Sequence, residues 1–324
     1  DVLICSYEQA VAWQEILTRD YFDLLICDES HYMKSPSAKR TRAVLGEHGD
    51  GINAIAGMAK FAWFLTGTPI KNDPVDIWAM LKATGSTKMT YTGFQTRYFN
   101  QKVSTFSVKN NIKDGALSEL QVVIRASGLM RTFADVGQQL PPARLDVWPI
   151  DGDARPIVEY LSQYPGLSER ILRSLKDEGR IMFEDGEHIS RLRALIAEAK
   201  APNYARMITE ELKSGTVDKL VVMGHHRRAL NIILEHLREH KINAEAINGT
   251  TAPKERERVV RSFQDDPKGV RVIVGNIQAA GTGITLTAAH RIDMFESSWT
   301  PTDNVQAVKR VHRKGQSKNV FVRF

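Results

Sequence analysis

Cysteine is scarce in this sequence: Cys5 and Cys27 are the only two among 324 residues. Each stands in a short apolar run, Val2–Cys5 and Leu24–Cys27, that reads as a buried strand, which suits a reducing intracellular compartment better than a disulfide framework. The adjacent His225 and His226 have no companion ligands at zinc spacing, and with only two cysteines no zinc site is expected. No stretch approaches the roughly 20 apolar residues of a membrane-spanning helix. Asp1-Val2-Leu3-Ile4 lacks the basic start of a signal peptide. Neither a 20–50-residue repeat nor a low-complexity tract is present, which argues against a solenoid.

What is present has ordinary globular proportions, 42% apolar and 25% charged residues, and a length that suggests two cores. A net charge of +6 and an isoelectric point near 9.2 make a polyanion-binding surface worth testing. Short apolar runs at Val2–Cys5, Leu24–Cys27 and Phe61–Leu65 alternate with helical patterns around Gln9–Leu17 and Val75–Leu81. Such alternation predicts an α/β fold with a parallel sheet covered by helices. The sequence from Tyr91 to Arg125 reads as irregular and polar, and Leu140-Pro141-Pro142 before Val147–Ile150 reads as the end of a unit. The expected division is therefore 1–150, a helical connection over 151–200, and a second α/β unit over 201–324, with strands at Leu220–Met223, Ala244–Ile247 and Val270–Val274. Trp13, Trp63, Trp78, Trp148 and Trp299 sit among apolar neighbours and read as core. That favours tracking of a phosphate backbone over stacking on unpaired bases.

Four segments carry chemistry. Leu24–Cys27 runs into Asp28-Glu29-Ser30-His31, placing two acids at the carboxyl end of a strand, where open α/β sheets hold ligands. In a nucleoside triphosphatase one acid can hold magnesium while its neighbour orients or deprotonates water; an isolated acidic pair also suits a solvated turn. Phe64-Leu65-Thr66-Gly67-Thr68-Pro69-Ile70 is a second strand opening onto hydroxyl residues, which could hydrogen-bond the acids and His31. In Gln306–Gln316, Arg310 and Arg313 are three apart and would share a face if helical, as a pair of guanidinium groups for a transferring phosphoryl group or as a basic patch. Gly275–Leu286, with Gly281, Thr282, Gly283 and Thr285, follows another strand and permits close approach to phosphate.

In order, these segments resemble the motifs of Swi/Snf-type superfamily 2 ATPases. Asp28-Glu29-Ser30-His31 is similar to the DExH signature, Leu65–Asn72 to the Leu-Thr-Gly-Thr-Pro-Ile-x-Asn segment, and Gln306–Gln316 to the family's last motif. Lys309 stands where the family usually has an acid and Lys314 where it usually has an apolar residue. The resemblance implies two RecA-like lobes facing one another across an ATP cleft, with ATP and Mg2+ as cofactors and mainly double-stranded DNA as partner. It implies Asp28 on magnesium, Glu29 as base, and Arg310 with Arg313 as fingers. Gly281, Gly283 and Gln316 would approach the nucleotide, while His31, Thr66, Gly67, Thr68 and Gln306 would couple hydrolysis to movement. Ser6, Tyr7, Lys34, Asn72, His225, Gly249, Thr250, Thr282, Thr285 and Trp299 would contact DNA. Asp-Glu-Ser-His and Glu296–Pro301 further resemble the branch containing annealing helicases and their bacterial and phage relatives. The location implied is cytoplasmic in a prokaryote or infected cell, or nuclear in a eukaryote.

No Gly-x-x-x-x-Gly-Lys-Ser/Thr occurs in the 324 residues. The expectation is a motor core whose P-loop lies upstream of residue 1, poorly soluble and inactive on ATP when made alone. Two other readings are a strand-separating helicase subunit of a restriction or phage system, and a non-catalytic DNA-binding remnant.

Overall fold

The computed structural model describes residues 1–70, 73–104, 107–131, 135, 140–177, 186–280 and 283–324. The chain forms two compact units, Asp1–Thr132 and Phe133–Phe324.

In the first unit, β1 (Phe22–Cys27) pairs in parallel with β2 (Ala59–Phe64), Leu24 opposite Phe61 and Cys27 opposite Phe64. Helices α1 (Tyr7–Ala12), α2 (Gln14–Leu17), α3 (Lys39–Leu45) and α4 (Trp78–Ala83) share its core with α5 (Tyr91–Tyr98) and α6 (Ala116–Ser127). Because successive strand residues face opposite ways, Leu25, Cys27 and Phe64 turn inward, toward a core that includes Met33, Leu45, Trp78 and Phe94. Leu24, Ile26, Phe61 and Trp63 occupy the other face and are exposed, Phe61 at 59% and Trp63 at 56%.

Several expectations need correction here. Val2–Cys5 forms no strand, and Val2, Leu3, Ile4 and Cys5 are exposed. An apolar run becomes a strand only where a neighbour takes its backbone groups, and among the described residues β1 pairs with β2 alone. Cys27 is buried as expected, which pushes its thiol pKa up to about 12. The described residues of the 91–125 segment form regular elements: α5, an antiparallel pair of β3 (Phe99–Ser104) and β4 (Ser107–Ile112), and α6. The pair's mostly polar residues carry no alternation, and α5 buries only Phe94 and Tyr98, so neither period stands out in the sequence. Of the five tryptophans only Trp78 is buried; Trp13, Trp63, Trp148 and Trp299 are exposed.

The second unit is a six-stranded, all-parallel sheet of order β5-β10-β9-β6-β8-β7. Its strands are β5 (Ala143–Asp146), β6 (Leu220–Gly224), β7 (Ala244–Ile247), β8 (Val272–Asn276), β9 (Arg291–Met294) and β10 (Val320–Arg323). The helices are α7 (Arg155–Ser162), α8 (Leu167–Asp177), α9 (Gly186–Lys213), α10 (Arg227–Glu239), α11 (Pro253–Asp265), α12 (Ile277–Ala280) and α13 (Pro301–Val308). Leu220, Val222 and Val274 face a core shared with α9 and α10, while Val221, Met223 and Ile273 face one shared with α11 and α13. Burial on both faces is why these strands read as unbroken apolar runs. This is the α/β class expected, a parallel sheet covered by helices.

The units divide at 132/133 rather than near 150. The reason is β5, which pairs in parallel with β10, Val320 opposite Ala143. A pairing nearly the whole unit apart in sequence leaves no local trace. Helix α9 likewise runs unbroken through the expected boundary at 200.

Candidate functional site

In the first unit the chemistry gathers where β1 and β2 end. The ladder extends beyond the strands through Leu65 N–H donating to Cys27 O (2.8 Å) and Ser30 N–H to Leu65 O (2.9 Å), so the two turns leave the sheet side by side. Between them Glu29 adopts left-handed backbone angles, φ 47° and ψ 45°. That conformation is unfavourable for a residue with a long side chain and is retained where surrounding structure imposes it. Asp28 Oδ1 accepts the Glu29 N–H at 2.9 Å. His31 is buried, its Nδ1 3.1 Å from Thr66 Oγ1 and 3.2 Å from Glu29 Oε2. Thr66 Oγ1 also accepts the Thr68 N–H at 3.0 Å. The Glu29 and His31 atoms are close without the alignment of a hydrogen bond, and Glu29 Oε2 is buried with no hydrogen-bond partner among the described residues. Asp28, Glu29, His31, Thr66 and Thr68 are thus brought together; a Cβ on neighbouring Gly67 would meet nothing within 4 Å. The exposed Asp28 carboxylate and the orphaned Glu29 oxygen are hard donors, a set suited to Mg2+ with retained waters.

Tyr7 has a different place from the one its motif implies. Its hydroxyl donates to Asp28 O at 2.8 Å, and burial, followed by the nearby Cys27, pushes its pKa up, so it remains a neutral donor. Ser6 caps α1 in a reciprocal pair with Gln9. Lys34 Nζ lies 2.9 Å from Asp76 Oδ2. Asn72 lies outside the described residues.

In the second unit the candidate residues follow the carboxyl ends of parallel strands, the edge at which α/β sheets bind ligands. His225 and His226 follow β6, Gly249 and Thr250 follow β7, and Trp299 follows β9. Asn248 Oδ1 accepts from Thr250 N (2.9 Å) and Thr250 Oγ1 (2.7 Å), fixing that turn. Thr285 is half-buried beside exposed Gly283, whose φ of +72° suits glycine; Gly281 and Thr282 lie outside the described residues. Trp299 is 65% exposed, with the Arg193 guanidinium 4.4 Å from its ring centroid.

Glu296, which carried no assigned role in the sequence, organises this edge. It is 7% exposed, and its Oε2 accepts the backbone N–H groups of His225 (3.0 Å) and His226 (2.9 Å) while Oε1 meets His226 Nδ1. Burial alone would raise its pKa; the hydrogen bonds from His226 and His225 prevail and hold it below the usual carboxylate range. A side chain at Gly224 would come within 3.3 Å of Glu296 Oε2 and 2.7 Å of Leu230 Cδ2, which explains the glycine. The partners are 70 residues apart, beyond any local sequence signal.

Helix α13 ends at Val308, so Arg310 and Arg313 lie in the following turns rather than on a continuous helical face. These turns are tied to the glycine loop by Leu286 N–H donating to Arg310 O (2.8 Å) and Arg313 Nη1 to Ile284 O (3.4 Å). Gln306 is half-buried on α13. Gln316 departs from its expected contact with nucleotide: its Nε2 serves the Thr287, Ala289 and Val311 carbonyls and its Oε1 accepts from Ser317 and Lys318 N–H. All of its hydrogen-bonding capacity is engaged within the fold.

Residues 1–157 match the family described as SNF2-related domain, and residues 203–315 match the helicase conserved C-terminal domain. The DNA annealing helicase and endonuclease ZRANB3 of Bos taurus is 31% identical over 96% of this chain. A Caenorhabditis elegans homologue of the SWI/SNF-related matrix-associated actin-dependent regulator of chromatin subfamily A-like protein 1 is 28% identical over all of it. This chain spans 28% of the former's length and 45% of the latter's. The Sulfolobus solfataricus SWI2/SNF2 ATPase core in complex with dsDNA aligns at TM-score 0.45 and 23% identity, over 98% of this chain and 66% of that one. With both domains present in order, the chain belongs to the SNF2-related, superfamily 2 helicase-like ATPases.

Proposed function

We propose that the protein works in a DNA-dependent ATPase that converts ATP hydrolysis into movement along double-stranded DNA, in a remodelling, annealing or repair role. The observation that carries this reading is the joining of Asp28-Glu29-Ser30-His31 to the turn after β2, through His31 and Thr66 at 3.1 Å. Asp28 offers oxygens to Mg2+, and Glu29, held in a left-handed conformation, orients the attacking water and accepts its proton. Mg2+, when bound, would neutralise charge on the phosphoryl group. Arg310 and Arg313 supply the guanidinium groups that stabilise the charge developing on that group. His31 and Thr66 relay the state of Glu29 to the turn after β2. His225, Gly249, Thr250, Gly283 and Thr285, at one edge of the second sheet, contact the DNA backbone, consistent with the net charge of +6.

The test is phosphate release by the full-length gene product with and without duplex DNA. Glu29→Gln should lower DNA-stimulated turnover by roughly 10²–10⁴-fold while ATP still binds; unchanged turnover would remove Glu29 from the mechanism. Displacement of a triplex strand without separation of a forked duplex supports translocation, whereas efficient duplex separation supports a strand-separating helicase.

A further inference from the structure

The last turn of α10 reads His236-Leu237-Arg238-Glu239-His240. Leu237 is buried in the core, and His236 and His240, four residues apart, share a face. Their rings stack with centroids 4.2 Å apart and planes at 29°. His240 Nδ1 lies 2.8 Å from His236 O, and since a carbonyl only accepts, that nitrogen carries the proton and Nε2 keeps its lone pair. The ring is held as metal-ligating histidines are, by donating its other N–H to a backbone carbonyl. His236 Nε2 is buried and has no hydrogen-bond partner among the described residues. One ligand atom from each of His236, Glu239 and His240 lies within 4.8 Å of the others.

We propose that His236, Glu239 and His240 form a binding site for a divalent transition metal of the zinc class, with the remaining coordination position left to water. Two imidazoles and one carboxylate match the donor preference of such ions and the open three-ligand zinc pattern, whereas Mg2+ and Ca2+ favour oxygen. Two histidines at this spacing on one helix face are a recurrent zinc arrangement. Zinc-to-nitrogen bonds of about 2.0–2.1 Å place donor atoms well inside that 4.8 Å limit, and exposed Glu239 can close on the ion by side-chain rotation while His240 keeps its bond to the His236 carbonyl. The carbonyl end of α10 adds partial negative charge. Arg206 and Lys213 place positive charge near His236, and the Glu239 carboxylate places negative charge there. The ion would staple the last turn of α10, stabilising the folded second unit by binding it alone. The site is separate from the carboxylates at the end of β1 and does not depend on the proposed ATPase role.

The experiment titrates the metal-free chain with zinc chloride by calorimetry near neutral pH, with Mg2+ in excess throughout. The expected result is one zinc ion per chain, and a thermal midpoint that rises with zinc and falls back on chelation. The double variant His236→Ala, His240→Ala should bind at least about tenfold more weakly and lose the zinc-dependent rise, with Glu239→Gln intermediate. His48→Ala, at an exposed position in the other unit, should match the parent. Far-UV circular dichroism checks that the variants are folded. Undiminished zinc binding by the folded double variant, or no zinc binding by the parent chain, overturns the proposal.

Discussion

His31 Nδ1 lies 3.1 Å from the Thr66 hydroxyl oxygen, tying the turn that leaves β1 to the turn that leaves β2. The same hydroxyl accepts the Thr68 N–H, and the same ring nitrogen faces Glu29 Oε2, so one oxygen sets the geometry of both turns. Thr66→Val keeps the shape of the side chain and removes its polar atom. In the full-length gene product we expect DNA-stimulated turnover to fall about tenfold or more, on the scale seen when a side chain that orients a reacting group is lost. ATP affinity should hold, and Thr66→Ser should restore most of the rate. Steady-state kinetics with a direct nucleotide-binding measurement checks this; a variant that turns over normally would separate Thr66 from the coupling path.

Tyr7 offers a choice between two roles that one variant resolves. Its hydroxyl donates to Asp28 O, so Tyr7→Phe should cost about 0.5–1.5 kcal/mol of stability in the first unit and slow turnover several-fold. DNA affinity should not change. A drop in DNA affinity at unchanged stability would instead return Tyr7 to the phosphate contact that its motif implies.

The sequence made some of this legible and hid the rest for physical reasons. Asp28, Glu29, His31 and Thr66 were readable because each follows an apolar strand directly, and strand ends are where α/β sheets place chemistry. The second sheet was readable because Leu220–Met223 and Val270–Val274 are buried on both faces and leave continuous apolar runs. By contrast, β5 joins β10 from the far end of the unit, and Glu296 reaches His225 and His226 across 70 residues, so neither leaves a local pattern. Gln316 shows the limit of motif transfer, since its amide is engaged by five backbone groups of its own unit.

A buried ionic cluster holds α9 against β9 and β10. Arg291 binds Asp293 through two nitrogens at 2.8 Å and Glu211 at 2.8 Å, Arg323 binds Glu211 at 3.0 Å, and the Tyr204 hydroxyl donates to Asp293 Oδ2 at 2.9 Å. Removing the neutral donor by Tyr204→Phe should cost about 1–3 kcal/mol, and Asp293→Ala about 3–5 kcal/mol, because it leaves buried Arg291 without its bidentate partner. Amide hydrogen exchange at β9 and β10 reads these losses without requiring the two units to unfold together. Equal protection in parent and Asp293→Ala would show the cluster to be energetically idle.

The Glu296 pKa is lowered on folding, so its sign with pH is fixed. At pH values below its unfolded pKa the unfolded state binds more protons, and the stabilisation present at neutral pH is lost as pH falls through the folded value. The depressed Glu211, where burial opposes but the Arg291 and Arg323 bonds prevail, acts in the same direction. The thermal midpoint of the second unit should therefore decline on acidification below the ordinary glutamate range, and Glu296→Gln should lower it at neutral pH and flatten that decline. A Glu296→Gln profile parallel to the parent's would mean that the carboxylate's charge is not what holds the amides of His225 and His226.

Leu24 and Ile26 on β1 and Phe61 and Trp63 on β2 make one exposed apolar face, and among the described residues neither strand has a further neighbour on its outer edge. Side chains of this kind on a two-stranded sheet combine an apolar patch with unpaired backbone groups, the two features that promote association. The 324-residue chain should bind a hydrophobic dye strongly and form larger species as its concentration rises. Phe61→Thr with Trp63→Thr removes most of the aromatic surface, keeps side chains that suit a strand, and leaves inward-facing Leu25, Cys27 and Phe64 in place. We expect the pair to lower dye binding and shift sedimentation toward a single small species, with the far-UV spectrum preserved. If the double variant associates as the parent does, the driving contact lies elsewhere, and exposed Val2, Leu3 and Ile4 become the next segment to substitute.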